Sequence, residues 1–178
     1  RDSAYAALSV SRAPDPAPSS VEVSRDAAWM AHALELARGA EDAGEVPIGA
    51  VIVRDDEVLG EGANRTIRDA DPTAHAEVVA IRDACATLGS HQLVGCELYS
   101  SSEPCPMCLG AIYWARPDAV YFANERDEAA AAGFDDAFIY DEIGLLPGDR
   151  RIRMYRVEVD GAGEPFRLWH MKTDRVEY

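Results

Sequence analysis

The sequence predicts an α/β protein in three layers, α/β/α, around a central mixed five-stranded sheet. Three observations carry that expectation. At 178 residues the chain is long enough for one domain with a single hydrophobic core. Segments with helical periodicity alternate with short apolar runs of strand length. Their order is helix, two paired strands, helix, strand, helix, strand, which places helices on both faces of a sheet.

Residues 1–24 include Ala13-Pro-Asp-Pro-Ala-Pro-Ser-Ser20, too poor in apolar surface to offset its ordering entropy. A flexible arm is expected there, with Tyr5, Leu8 and Val10 available to pack on the domain. Residues 25–160 are expected to form the folded domain. From Asp26 the pattern is helical, with Ser24 as N-cap, Ala27, Met30, Leu34 and Ala37 on one face, and Gly44 as the stop. Ile48 to Val53 is a continuous apolar run; Asp55-Asp56 makes a turn into Val58-Leu59-Gly60, giving a hairpin. Asp71-Pro72-Thr73 is expected to cap a helix running to about Leu88, closed by Gly89. Strands follow at Cys96 to Ser100, Ala119 to Ala123 and Ile152 to Val159, with a helix from Pro104 to Arg116 that Pro117 stops. Asp160-Gly-Ala-Gly163 reads as a hinge into a C-terminal segment, 161–178. That segment carries Pro165, Phe166, Leu168 and Trp169, too apolar to be left in water.

Composition narrows the function classes. Hydrophobic residues make up 48% and charged residues 28%, as in ordinary globular proteins, and no apolar run approaches the roughly 18 residues of a membrane span. The formal charge is −15, from 32 acids against 17 bases, and such a surface repels phosphate backbones unless a local basic patch intervenes. Sixteen of the bases are Arg and one, Lys172, is Lys. That bias fits either a GC-rich genome or an acidic, salt-adapted cytosol. The start of the chain lacks a basic, apolar, small-residue leader pattern, so a cytoplasmic location is expected.

One constellation carries chemistry. His75-Ala76-Glu77 opens one predicted helix and Pro104-Cys105-Pro106-Met107-Cys108 opens the next. Cys105 and Cys108, three apart in a first turn, put both sulfurs on one face, and a helix N-terminus favours the thiolate that ligates metal. With His75 they make two Cys and one His, three protein ligands with a fourth position open, the catalytic zinc pattern. Zinc so held lowers the pKa of bound water toward about 7, and Glu77 is placed to take that proton and deliver it to a substrate. Two plainer alternatives exist. A Cys-x-x-Cys pair can be a redox site, but that needs no His-x-Glu upstream. Cys85 or Cys96 can supply a fourth, structural ligand, but Cys85 lies among alanines inside a helix and Cys96 opens a strand at its far end.

These motifs resemble those of the cytidine deaminase superfamily, whose zinc deaminases share His-x-Glu followed by Pro-Cys-x-x-Cys. The likeness runs from about Ala27 to the C-terminus. Glu45-Val-Pro-Ile-Gly-Ala-Val-Ile-Val53 and Gly60-Glu-Gly-Ala-Asn-Arg65 are similar to bacterial tRNA adenosine deaminases. Glu103 to Pro117, Ala132-Gly-Phe-Asp-Asp136 and the terminal Glu177-Tyr178 look like bacterial guanine deaminases. The resemblance implies zinc on His75, Cys105 and Cys108, proton transfer by Glu77, a purine pocket lined by Asn64 and Trp114, a recognition or proton-transfer role for Asp136, and closure by Tyr178. It also implies a homodimer in which C-terminal segments are exchanged between subunits. Each substrate-side residue has a simpler alternative: Trp114 in the core with Ile112, Asp135-Asp136 as a helix cap, Tyr178 as a frayed end, Asn64 as a turn residue. Ile48 stands where guanine deaminases carry Phe, and Ser102 where they often carry Cys. The expected activity is hydrolytic deamination of a free purine base, guanine in first place, giving xanthine and ammonia. The alternatives are tRNA adenosine-to-inosine editing, deamination of another small aminated heterocycle, or an inactive module that keeps zinc for stability. Little here favours nucleic acid: Arg150-Arg151-Ile-Arg153 is the one basic cluster.

Overall fold

The computed structural model describes residues 20–176, which divide after Asp136 into two compact units. Tyr5, Leu8, Val10 and Tyr178 lie outside the described residues.

The first unit holds α1 (Ser20–Asp42), β1 (Gly49–Arg54), β2 (Glu57–Ala63), α2 (Ala76–Leu88), β3 (Glu97–Ser102), α3 (Pro106–Ala115), β4 (Ala119–Asn124) and α4 (Arg126–Ala131). Its sheet has the order β2-β1-β3-β4, antiparallel on both sides of β1 and parallel between β3 and β4. The sheet is therefore mixed, as expected. β1 is buried on both faces, which is why Ala50 to Val53 read as an unbroken apolar run. Ala50 and Ile52 face a core shared with α2 and α3, through Ala76, Ala80, Ala84, Leu98 and Ile112. Val51 and Val53 face the opposite layer, where α1 packs through Trp29, Met30, Ala33 and Leu36. These are the three layers.

Local chemistry sets the connections. Asp55 and Asp56 both have positive φ, 53° and 60°, the mirror-image turn whose twist suits a two-residue hairpin. The hairpin register shifts between Ile52 and Val53, so that Leu59 is the extra residue of a bulge. Gly89 closes α2 in the left-handed conformation. α1 ends with Gly44 at φ 76°, its N–H on the Glu41 carbonyl at 2.8 Å and the Glu45 N–H on the Ala40 carbonyl at 2.9 Å. At the far end of β3, Arg25 donates to Asp26 at 2.9 Å and to Glu97 at 3.0 Å, the Tyr99 hydroxyl donates to Asp26 at 2.7 Å, and Tyr99 stacks on Tyr121 at 4.7 Å. This network locks α1 to the sheet.

Two expected caps are corrected. α1 begins at Ser20, so Ser24 lies inside the helix and is not its N-cap; the helix is held by its packing on the sheet, chiefly on β1 and β3, rather than by a cap at Ser24. α2 is capped by His75, with Asp71, Pro72 and Thr73 in the preceding turn, where Asp71 accepts from the Thr73 N–H at 2.8 Å and hydroxyl at 2.7 Å. The fifth strand is corrected as well: the described residues form four. Residues 152–159 form neither helix nor strand, and Ile152, Tyr155 and Val157 are each at least three-quarters exposed. Alternation of apolar residues marks a surface to be covered; it does not specify a neighbouring strand.

The second unit, described by itself, holds α5 (Ala137–Ile143), a single 3₁₀ turn at Pro147–Asp149 and α6 (Glu164–Met171). The Arg150 guanidinium donates to the carbonyls of Leu145 and Ile143, at the end of α5, and Arg151 pairs with Glu142. Phe166, Leu168 and Trp169 remain exposed within this unit.

Three glycines set the spacing between helices and sheet in the first unit. A Cβ on Gly49 would lie 2.2 Å from the Ala33 carbonyl oxygen, one on Gly60 2.4 Å from the Ala84 nitrogen, and one on Gly62 2.0 Å from the Ala76 carbonyl oxygen. Gly62→Ala must therefore push α2 off the sheet at the end that carries His75 and Glu77. We expect it to destabilise by at least about 1–3 kcal/mol, the usual cost of overpacking. Gly110→Ala on α3, where a Cβ meets nothing within 4 Å, should instead raise the melting temperature through helix propensity. Equal melting temperatures for the two variants would contradict this packing.

The loop between β2 and α2 is held by two carboxylates. Burial pushes the Glu45 carboxyl up, but N–H bonds from Arg68 and Ile67 and from the Asn64 amide outweigh it and hold the group below its ordinary value of 4.5. Thr73, through hydroxyl and N–H, holds Asp71 below its ordinary 3.8. Lowered folded-state values mean that this stabilisation is complete above the unfolded values and is lost as pH falls through the folded ones. The stability gap between the wild type and Asp71→Asn should therefore be full at neutral pH and close below about pH 4, followed by denaturant midpoints. A gap independent of pH would show that the Asp71 charge plays no part.

Candidate active site

Two helix starts meet at the C-terminal end of β3. α3 begins immediately beyond that strand, with Cys105 as its N-cap at φ −64° and ψ 167°, Pro106 as first helical residue and Cys108 as third. An N-cap side chain faces the N–H of the third helical residue, so Cys105 and Cys108 share one side of the first turn. α2 presents His75 from its own N-cap, with Glu77 in the first turn. The end of β3 is fixed in turn. The Ser101 hydroxyl accepts from the Gly49 N–H at 3.1 Å, and its carbonyl accepts from the Asn124 side chain at 2.6 Å.

His75 Nδ1 lies 3.6 Å from Cys105 Sγ and 3.5 Å from Cys108 Sγ, and the three atoms are all within 4.8 Å of one another. A tetrahedral zinc with Zn–S near 2.3 Å and Zn–N near 2.0 Å separates sulfur from nitrogen by about 3.5 Å. The donor set therefore fits zinc in both chemistry and spacing. Hydrogen bonds from the Cys108 thiol and from His75 pull the Cys105 thiol well below its ordinary value, while Cys108 is pushed up by the proton it shares with Cys105. The bond to Cys105 raises His75. Cys85 and Cys96 lie with the apolar core around α2 and β3, not with this group.

Glu77 is 2% exposed, and burial pushes its carboxyl up. One side of the carboxylate is within hydrogen-bonding reach of Cys108, whereas Oε2 is buried with no protein partner. A buried acceptor left without a partner is costly, and it fits a carboxylate whose partner is a water or a substrate.

Asn64 is 3% exposed at the end of β2; the next residue, Arg65, donates its N–H to the Ala74 carbonyl at 2.9 Å, one residue before His75. Asp136 is half-buried with Oδ1 unpartnered; its carboxyl is pushed up by burial and by the nearby negative charge of Cys105, against a pull from Arg126. Trp114 is 63% exposed while Ile112 is 5% exposed, which removes the alternative of a shared core position. It lies six residues past Cys108, about 600° around the helix and about 9 Å along it, so it is not part of the ligand cluster. Ile48 and Ser102, the two departures from guanine deaminases, line a cleft of 180 Å³ together with Pro47, Asn124 and Phe134. Glu45 is the site-side residue that sequence reasoning passed over. No local pattern marks it, because its partners Asn64, Ile67 and Arg68 lie some twenty residues further along the chain.

Residues 23–124 match the family described as the cytidine and deoxycytidylate deaminase zinc-binding region. The chain is 54% identical over 132 residues to a guanine deaminase of Bacillus subtilis, covering 74% of this chain and 85% of that protein. It superposes on an X-ray structure of guanine deaminase from the same organism with a TM-score of 0.83 at 50% identity, covering 85% of this chain and 98% of the other. It is also 42% identical over 117 residues to a tRNA-specific adenosine deaminase of Haemophilus influenzae, covering 62% of this chain and 68% of that protein. The chain belongs to the cytidine and deoxycytidylate deaminase family.

Proposed function

We propose that the protein hydrolyses a free purine base, guanine in first place, to xanthine and ammonia. The observation that carries this is the orphaned, buried Oε2 of Glu77, two residues from a His that meets two Cys sulfurs at zinc-ligand spacing. The 54% identity to a guanine deaminase over 132 residues, 85% of that protein, supports the choice of base.

In this reading His75, Cys105 and Cys108 hold one zinc. When bound, zinc supplies a Lewis acid that lowers the pKa of a water to about 7. Glu77 would take one proton from the attacking water and give it to the ring nitrogen next to the reacting carbon, so that water adds across that C=N bond; the second proton, from the hydroxyl left on the carbon, would pass through Glu77 to the amine, which leaves as ammonia while the carbonyl forms. Asn64 and Asp136 orient the base, Trp114 and Tyr178 cover the pocket, and the protein is a cytoplasmic homodimer that exchanges its C-terminal segments. The exposed Phe166, Leu168 and Trp169 of α6 are suited to such an exchange, a low-cost route to a dimer.

The second reading, tRNA adenosine editing, is favoured by the similarity to tRNA-specific adenosine deaminases. It needs a basic face, and the charge of −15 opposes one. Arg150 and Arg151 of the basic cluster are engaged with α5 carbonyls and with Glu142.

Glu77→Ala should keep about one zinc per chain and lose about 10²–10⁴-fold in turnover, whereas Cys105→Ala should lose both metal and activity. Guanine should turn over faster than guanosine or an anticodon stem-loop, followed by ammonia release. Truncation after Thr173 should lower kcat/KM for guanine by at least about tenfold, or about 1.4 kcal/mol, with zinc retained. Substantial activity in zinc-replete Glu77→Ala would overturn the proton-transfer role, and a faster stem-loop reaction would move the assignment to tRNA.

A further inference from the structure

Glu45 takes no part in the chemistry described above, yet it is a buried carboxylate, 9% exposed, with unusually complete bonding. Its backbone is fixed by the end of α1, through the bond from its N–H to the Ala40 carbonyl at 2.9 Å. Its side chain then gathers three donors from the loop that follows β2. Oε1 accepts from the Arg68 N–H at 2.6 Å; Oε2 accepts from the Ile67 N–H at 3.1 Å and from Asn64 Nδ2 at 3.3 Å. The second hydrogen of Asn64 Nδ2 goes to Thr66 Oγ1 at 3.0 Å.

An Asn side chain has two donor hydrogens and one acceptor oxygen, and its orientation is set by whatever the hydrogens meet. Here both are used. The nitrogen of Asn64 is turned toward Glu45 and Thr66, and the oxygen is the atom left for a ligand. The next residue, Arg65, pairs with Ala74, which directly precedes His75, so the backbone at Asn64 runs close to the start of α2.

We propose that Glu45 is a positioning residue that fixes the Asn64 amide as an acceptor and so selects bases that present an N–H to it. The proposal rests on the reading of Asn64 as a base-binding residue. The charge matters because an ionised carboxylate only accepts. Glutamine in its place brings an NH₂ either against the Arg68 N–H or against both the Ile67 N–H and the Asn64 NH₂. The Asn64 contact is relieved by turning that amide over, which presents its NH₂ to the ligand and reverses the preference.

The test compares wild type, Glu45→Gln and Glu45→Asp in the zinc-loaded protein. Glu45→Gln should raise KM for guanine at least about tenfold, with kcat changed much less and zinc content unchanged; a polar amide mismatch of this kind costs a factor of that order or more. Glu45→Asp, which keeps an acceptor-only group, should recover part of the loss. A guanine KM in Glu45→Gln equal to that of the wild type overturns the proposal. Hydrogen exchange of the ¹⁵N-labelled Asn64 side-chain amide is read alongside in the wild-type protein without substrate. Strong protection of both hydrogens is expected, and exchange at the rate of a free amide overturns the proposal, even where Glu45→Gln fails to fold. A wild type inert toward guanine would refute the proposed substrate, and the exchange measurement would still decide the role of Glu45.

Discussion

Two helix N-termini must be held against one another for this site to exist. His75 and Cys105 are each the N-cap of a helix, and each helix start carries about half a positive charge. Their side chains meet at 3.6 Å, and setting two positive helix ends so near each other is unfavourable unless negative charge lies between them. The sulfurs of Cys105 and Cys108 and the carboxylate of Glu77 are the groups placed there. A dication completes that balance, since binding releases the thiol proton and leaves two thiolates against two positive charges. Metal affinity and the packing of the helices are thus parts of one electrostatic arrangement.

The rest of the unit serves that approach. Gly62 lets β2 run against the Ala76 carbonyl at the start of α2, and Gly60 does the same one turn further along. The parallel pairing of β3 with β4 and the Ser101 and Asn124 bonds fix the strand end from which α3 springs. Glu45 and Asp71 tie the loop that leads into His75. Removing the glycines would leave the same ligands on helices that no longer meet.

Much of this was legible in the residues. The Asp55-Asp56 turn, the doubly buried run before it, the stop at Gly89 and the ligand spacing of Cys105 and Cys108 follow from local rules, and each is found in the fold. Caps were harder. Ser24 and Asp71 have good capping chemistry, yet Ser24 is overtaken by a helix that starts earlier, and Asp71 bonds Thr73 within a turn while His75 takes the cap. Residues 152–159 show the limit of periodicity, because strand pairing depends on a partner that the segment itself does not encode. Glu45 was missed for a related reason: its role exists only through donors twenty or so residues away. The motifs carrying the resemblance, by contrast, are compact in sequence, and the residues they single out, His75, Cys105 and Cys108, come together from both helices.

In the proposed site one nitrogen and two sulfurs of this chain hold zinc, with a position left for water. X-ray absorption at the zinc edge of the purified protein tests it most directly. Two sulfur neighbours at about 2.3 Å and two nitrogen or oxygen neighbours at about 2.0–2.1 Å are predicted. A shell with a third or fourth sulfur, drawn from Cys85 or Cys96, would make the site structural and would contradict the account.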